Sequence, residues 1–213
     1  MTRVLLIRHG ETWANRRGEF AGFTDAVLTE LGMEQAEKTA EFVLENYKVD
    51  KVYASDLQRA FNTAKVIADK LGIEVIPEKG MREIFGGLWE DVPYVTLVER
   101  YPEAYRTWLH DIGKSVCTEG ESTVELGERV FGTVKRIASE NEGKTVVIAT
   151  HATPVRVTQT LIQYGDLENM QSVPWASNAS VTELICEDGV WSVVKASMDE
   201  HLGDMKTVLP DDV

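Results

Sequence analysis

Cysteine and long apolar runs are scarce in this chain of 213 residues. Its two cysteines, Cys117 and Cys186, lie in dissimilar contexts, which favours two free thiols over a structural disulfide. Apolar runs such as Val4–Ile7 and Val146–Ala149 are too short to cross a bilayer, so we predict no membrane span. The N-terminus enters a strand-like run without a signal-peptide pattern, and we expect a cytoplasmic protein.

Positive charge is also in short supply. The chain has 22 lysines and arginines against 35 aspartates and glutamates, a formal net charge of −13. This balance argues against nucleic acid or an acidic membrane as the main partner. With 43% apolar and 27% charged residues, the composition is that of a folded protein. The length fits a single domain, 1–213, with an irregular or helical insertion at about 86–118.

Strand-like and helix-like segments alternate along most of the chain. Apolar runs predict strands at Arg3–Ile7, Lys51–Ala54, Ile73–Ile76, Lys144–Thr150, Val181–Cys186 and Val190–Ala196. Asp188-Gly189 separates the last two and is typical of a hairpin turn. This order predicts a three-layer α/β/α fold, in which a mainly parallel sheet has helices on both faces and a C-terminal antiparallel edge hairpin. Lys144–Thr150 is the most apolar strand and is expected near the centre of the sheet.

Capping residues predict where several helices begin. Thr29 is a suitable N-cap for an amphipathic helix. Ser55 and Gln58 have the spacing of a capping box, which predicts a helix starting at Ser55. Ser122 and Glu125 have the same spacing and predict the start of a second such helix.

Two histidines occupy equivalent positions, each just beyond a predicted buried strand. His9 follows the first strand and His151 follows Lys144–Thr150. Ligands bind outside the carboxyl ends of strands in open α/β sheets, so the two imidazoles are expected in one site. Taken alone, each histidine is more often a structural residue at a strand end.

Two arginines lie in similar places. Arg8 precedes His9, and Arg59 falls in the opening turn of a predicted helix, where the helix dipole favours anions over cations. A bound anion between them explains this placement, because guanidinium groups match phosphate oxygens. The alternative is that Arg59 reaches solvent or pairs with Asp56. The sequence has no zinc-type ligand spacing and no P-loop, so we predict neither a metal nor a cofactor.

A set of ordered motifs resembles the histidine phosphatase superfamily, the phosphoglycerate-mutase-like proteins. The first is Leu6-Ile7-Arg8-His9-Gly10-Glu11-Thr12 with Asn15, which matches the signature R-H-G-E/Q-T-x-x-N. Further blocks follow in the family's order: 21–25, 28–32, 55–60, 82–86, 120–122, 147–151 and 178–180. Together they extend from about Val4 to Leu202, nearly the whole chain.

The resemblance implies a role for each matched residue. His9 would be the nucleophile that accepts the phosphoryl group, while Arg8, Arg59 and His151 would bind its oxygens. Glu83 would be the general acid for the leaving alcohol; without the family context, a carboxylate paired with Arg82 is the simpler interpretation. Phosphate or substrate contacts are implied for Asn15, Phe23, Thr24 and Ala152.

Two departures from the family pattern bear on the activity. Ala152 replaces the glycine that usually follows the second histidine; it keeps its N–H, so we expect a change in pocket shape. The long proline-rich insertion of phosphoglycerate mutases is missing, and the segment 85–90 is similar to the phosphatase branch, which includes broad-specificity and α-ribazole phosphatases. We therefore predict a metal-independent phosphomonoesterase acting on a small-molecule phosphate monoester. The alternatives are a mutase and a catalytically silent phosphate-binding module.

The alcohol part of the substrate cannot be named from the sequence. Aromatic residues that would line its binding site, or serve only as packing, are Phe20, Phe23, Trp89 and Trp108. Arg16 and Arg17 follow the nucleophile closely, and one of them is expected to contact a second anionic group. The oligomeric state is open; either the edge hairpin or the insertion is able to form a homodimer interface.

Overall fold

The computed structural model describes residues 1–207. Its strands are β1 (Thr2–Arg8), β2 (Lys51–Ala54), β3 (Val75–Pro77), β4 (Thr145–Thr150), β5 (Val181–Glu187) and β6 (Val190–Met198). Its α-helices are α1 (Trp13–Arg17), α2 (Glu30–Asn46), α3 (Gln58–Leu71), α4 (Tyr94–Arg100), α5 (Pro102–His110), α6 (Thr123–Ser139) and α7 (Ala152–Tyr164).

The six strands form one mixed sheet in the order β3-β2-β4-β1-β5-β6. The first four in this order are parallel, whereas β5 runs antiparallel to β1 and to β6. The predicted fold is confirmed, including the central place of β4 and the edge hairpin. Asp188 and Gly189 both have positive φ, at 51° and 80°, as a tight hairpin turn requires.

Helices cover both faces of the sheet because the central strands are apolar on both sides. In β1, Leu5 and Ile7 pack on the side of α2 and α3. Val4 and Leu6 pack on the other side, with α6 and α7. This second side also receives the aromatic residues of α5, so the segment after Gly86 is built into the core beside β1.

Most helix boundaries follow the predicted signals. Thr29 caps α2, and Ser122 with Glu125 forms the capping box of α6. The prediction that a helix begins at Ser55 is wrong, because α3 begins at Gln58. The Ser55 hydroxyl instead accepts a hydrogen bond from the Leu57 N–H and contacts a histidine in the site described below.

The thiols and the helix lengths agree with the sequence predictions. Cys117 and Cys186 are free, as predicted. Within residues 1–207, none of the helices has the length and apolar character needed to cross a membrane.

Candidate active site

Parallel pairing of β1 with β4 brings two distant histidines together. Arg8 and Thr150 are paired at the ends of these strands, so His9 and His151 leave the sheet side by side. Their ring centroids lie 5.2 Å apart at an interplanar angle of 64°, and both side chains are buried. The expectation that one site contains both imidazoles agrees with this geometry.

The protonation state of His9 is set by its neighbours. Nδ1 lies 2.7 Å from the Gly10 carbonyl oxygen, which can only accept, so Nδ1 carries the hydrogen and Nε2 keeps a lone pair. Burial, and then the nearby charges of Arg59 and Arg8, hold the pKa of His9 well below its usual range. The imidazole is therefore neutral near pH 7.

The backbone that carries His9 is held from two sides. The His9 carbonyl accepts hydrogen bonds from the Asn178 side chain at 3.1 Å and from the Ala179 N–H at 3.1 Å. On the other side, the loop lies directly against the start of α2: a methyl group on Gly10 would lie 2.2 Å from the Gly32 carbonyl oxygen. Glycine at both positions permits this close approach of two backbone segments.

Two buried guanidinium groups are held by backbone carbonyls. Arg8 donates to the Ala176 carbonyl at 2.6 Å, and Arg59 donates to three carbonyls of the loop 21–24 at 2.6–2.9 Å. Burial lowers the pKa of Arg8 to about 10 and also lowers that of Arg59, yet both remain charged near neutral pH. Within residues 1–207, the Nε atoms of both arginines are buried without a hydrogen-bond partner. An anion that accepts from them would satisfy both donors.

His151 presents a third unsatisfied atom to the same region. Its Nε2 lies 2.8 Å from the Ser55 hydroxyl, whereas Nδ1 is buried and finds no partner among the described residues. His151 is also the N-cap of α7, so the first N–H groups of that helix, beginning with Ala152, lie beside the imidazole. Ala152 does not have a positive φ, so its helical backbone can present the N–H that the family glycine would supply.

Glu83 is a buried carboxyl group close to the same helix terminus. Its oxygens accept from the Ile84 N–H at 2.8 Å and from the Thr153 N–H at 3.3 Å. Burial raises the pKa of Glu83, although these hydrogen bonds oppose the shift. Arg82 binds Asp56 at 2.6 Å rather than Glu83, so the expected alternative pairings of Glu83 with Arg82 and of Asp56 with Arg59 are not found.

Asn15 has a fixed amide orientation. Its Oδ1 accepts from the Thr12 N–H at 3.1 Å and from the Asn178 amide at 3.2 Å. With the oxygen occupied in this way, the Nδ2 group is the end that can donate to a ligand.

Most of these groups line a small cavity with about 50 Å³ of space for water-sized molecules, whereas His151 is fully buried and is not part of the lining. Residues predicted from the sequence that line it are Arg8, His9, Asn15, Arg59, Glu83 and Ala152. The lining therefore combines the two guanidinium groups with the carboxyl group of Glu83.

Phe23 and Thr24 lie outside the lining of this cavity. Phe23 packs against Phe85 with ring centroids 5.2 Å apart, and the backbone N–H groups of both predicted residues donate to Glu90. Thr24 reaches the site through its carbonyl, which accepts from Arg59 at 2.6 Å. Thr24 is thus connected to the cavity through Arg59, whereas Phe23 contacts Phe85 and Glu90.

Comparison with known proteins assigns the family. The family model described as "Histidine phosphatase superfamily (branch 1)" matches residues 4–199 of this chain. The chain is a histidine phosphatase.

Relatives of this phosphatase include enzymes with a named activity. Phosphoserine phosphatase 1 of Hydrogenobacter thermophilus is 31% identical over 204 residues, covering 96% of each chain. A metal-independent phosphoserine phosphatase of Arabidopsis thaliana is 30% identical over 207 residues, covering 96% of this chain and 85% of the relative. Among solved structures, a phosphoserine phosphatase of Entamoeba histolytica in complex with 3-phosphoglyceric acid is 28% identical, with a TM-score of 0.82 over 95% of this chain and 100% of its own.

The histidine phosphatase cavity has further walls that sequence reasoning missed. Glu19, Tyr94 and Trp175 line it together with the predicted Phe20 and Trp108. Trp89 is fully buried beneath them. Pro93 before Tyr94 gives a signal for a helix start, but nothing in the local sequence of Glu19 or Trp175 indicates that either lines the cavity.

Arg16 and Arg17 do not line the cavity. Arg16 binds Glu11 at 2.7 Å, and Arg17 binds Glu19 at 2.8 Å. The expectation that one of them contacts a second anionic group gains no support from these contacts.

Proposed function

We propose that this phosphatase is a metal-independent phosphomonoesterase that hydrolyses a small phosphorylated metabolite through a phosphohistidine on His9. One observation carries the proposal: the Gly10 carbonyl fixes the hydrogen of His9 on Nδ1, so the Nε2 lone pair is the nucleophile in a cavity with two unpartnered arginine Nε–H groups. The similarity to a relative named metal-independent phosphoserine phosphatase supports the same mechanism.

In the first step, Nε2 of His9 attacks phosphorus while the bond from phosphorus to the alcohol oxygen breaks. Arg8, Arg59 and His151 donate to the non-bridging oxygens, whose charge the enzyme must stabilise in the transition state. The Nδ1–H of His9 continues to donate to the Gly10 carbonyl, which stabilises the positive charge that the ring gains on phosphorylation.

Glu83 is placed to protonate the leaving oxygen. An alkoxide is a poor leaving group, so the carboxyl group must carry a proton when the bond breaks. Burial raises the pKa of Glu83 and favours this form. A negative phosphate nearby acts in the same direction.

Water completes the cycle. The Glu83 carboxylate accepts a proton from a water molecule, whose oxygen attacks phosphorus as the bond to Nε2 breaks. Inorganic phosphate is released, and neutral His9 and protonated Glu83 are regenerated. Water thus accepts the phosphoryl group. In a mutase, the acceptor would instead be a second hydroxyl of the substrate.

Labelling and mutation of His9 test the proposal. With p-nitrophenyl phosphate in the presence of EDTA, we expect full release of phosphate by the unmodified enzyme and a loss of about 10³-fold or more in His9→Ala. Rapid acid-free quenching of a radiolabelled monoester should give a labelled protein only when His9 is present. His110→Ala, which changes an exposed histidine on α5, is the matched control and should remain active. Full activity in His9→Ala, or loss of activity with EDTA, would refute the mechanism.

A further inference from the structure

The positive charges that line the cavity are sufficient for one phosphate group and no more. Among residues 1–207, its positively charged lining residues are Arg8 and Arg59, and His9 is held neutral. A phosphate monoester carries a charge of about −1.5 to −2 at pH 7, which the two guanidinium groups balance. A second anionic group on the substrate would find no guanidinium or ammonium group in the lining.

The sequence beyond Thr207 does not supply one either. Its residues, 208–213, include two aspartates but no lysine, arginine or histidine. Cations for a second anion would therefore have to come from side chains that do not line the cavity.

A carboxylate lies in the lining instead. Glu19 is part of the cavity wall, and its side chain is 19% exposed. Arg17 donates from Nε to both Glu19 oxygens at 2.9 Å, but the Arg17 side chain is 56% exposed and is not part of the lining. Because water screens the outer partner of such a pair more strongly, the cavity experiences the charge of Glu19 more than that of Arg17.

The remaining wall beside Glu19 is aromatic. Phe20 makes edge-on contacts with Tyr94 and Trp108, with ring centroids 6.3 Å and 5.5 Å apart, and Trp108 stacks on Trp175 at 6.1 Å. Burial raises the pKa of Tyr94 to about 12, so its phenol stays neutral. Aromatic faces attract apolar groups and cations, whereas they do not attract carboxylates.

Arg156 does not alter this balance. Its guanidinium lies over the Trp175 ring at 4.2 Å, and it donates to the carbonyls of Val173 and Gln171. It is buried and is not part of the lining. Its charge is thus committed to the loop that positions Trp175.

We propose that Glu19 and the aromatic wall form a specificity site that selects phosphate monoesters of amine-bearing alcohols over carboxylate-bearing alcohols of the same size. This inference rests on the proposed phosphatase function. A substrate amine would lie between the Glu19 carboxylate and the aromatic rings, whereas a substrate carboxylate would meet a like charge whose cationic partner, Arg17, lies outside the lining.

The test uses phosphoethanolamine and phosphoglycolate. Both have a two-carbon alcohol part, which ends in an ammonium group in the first and in a carboxylate in the second. Each competes against p-nitrophenyl phosphate, so an inhibition constant is obtained even where its own turnover is slow. For the unmodified enzyme, we expect phosphoethanolamine to bind at least about fivefold more tightly than phosphoglycolate. Glu19→Gln, which is nearly isosteric, should reduce this ratio to near one.

Arg17→Gln gives a change of opposite sign. It removes the partner of Glu19 without removing the carboxylate, so the preference for phosphoethanolamine should increase. Glu187→Gln, which removes an exposed charge at the far end of β5, is the matched control and should leave the ratio unchanged. Circular dichroism of each variant checks that the fold is retained.

The outcomes separate this inference from the proposed function. Hydrolysis of p-nitrophenyl phosphate with equal or stronger binding of phosphoglycolate would overturn the specificity site and leave the phosphatase mechanism standing. A ratio that Glu19→Gln and Arg17→Gln both leave unchanged would also overturn it. Absence of p-nitrophenyl phosphate hydrolysis would instead refute the proposed function on which the inference rests.

Discussion

Glu90 supports the guanidinium of Arg59 through a peptide loop. The Glu90 carboxylate accepts from the N–H groups of Phe23 and Thr24 at 2.8 Å and 2.9 Å, and from the Thr24 hydroxyl at 2.7 Å. The Gly86 N–H donates to the same carboxylate at 2.8 Å. Since carbonyls of the loop 21–24 accept from Arg59, one carboxylate connects Arg59 to the segment that follows Glu83.

We predict that Glu90→Gln weakens phosphate binding without touching the substrate. The amide offers one acceptor oxygen and places an NH₂ group against backbone donors, so loop contacts are lost at a cost of about 1–3 kcal/mol. We expect Tm to fall by about 2–12 °C and the inhibition constant of inorganic phosphate to rise. Glu128→Gln, an exposed position on α6, is the control. Unchanged phosphate inhibition in Glu90→Gln would mean that the loop does not position Arg59.

Arg59→Lys should separate charge from geometry. An ammonium group keeps the positive charge but cannot donate to three carbonyls and to a phosphate oxygen at once. We expect kcat/KM to fall by about 10²-fold, with a smaller loss in Arg106→Lys, which changes an exposed arginine of α5. Steady-state kinetics with p-nitrophenyl phosphate measures both. Retention of activity in Arg59→Lys would show that charge alone is sufficient at this position.

The pH dependence follows from the opposite pKa shifts of His9 and Glu83. The proposed mechanism requires neutral His9, whose pKa is lowered, and protonated Glu83, whose pKa is raised. The rate should therefore rise through the pKa of His9, well below its usual range, and fall as pH increases through the raised pKa of Glu83. Glu83→Gln should lose the alkaline fall, and its activity should decrease more with an alkyl phosphate than with p-nitrophenyl phosphate, whose leaving group needs less protonation.

Comparison of the two pH–rate profiles is the measurement. The second ionisation of the substrate phosphate affects both enzymes equally, so the difference between them isolates Glu83. An alkaline limb that persists in Glu83→Gln would assign the titration to another group.

The sequence predicted the central strands and the meeting of His9 with His151 because both depend on regular features. Apolar runs identify buried strands, and the ends of adjacent parallel strands lie at one edge of the sheet. Signals within a few residues also predicted the capping of α2 and α6. These features can be predicted from local sequence, with little information about the segments that pack against them.

The parts that could not be predicted depend on contacts between distant segments. Ser55 has the spacing of a helix cap, but its hydroxyl contacts His151, and α3 begins later. Phe23 and Thr24 look like ligand contacts from the motif, yet Glu90, 66 residues away from Thr24, binds their backbone. Tertiary packing brings Glu19 and Trp175 to the cavity, so no local sequence pattern predicts their position there.

The contact between Gly10 and Gly32 limits how this phosphatase can be engineered for thermostability. Replacing a glycine near the start of a helix with alanine is a common stabilising change, because it reduces the freedom of the unfolded chain by about 0.4–1 kcal/mol. Here a methyl group on Gly32 would lie 2.1 Å from the carbonyl oxygen of Glu11, two residues after His9. The alanine methyl group would displace the backbone next to His9. Replacing Gly32 to increase the helix propensity of α2 is therefore expected to lower turnover.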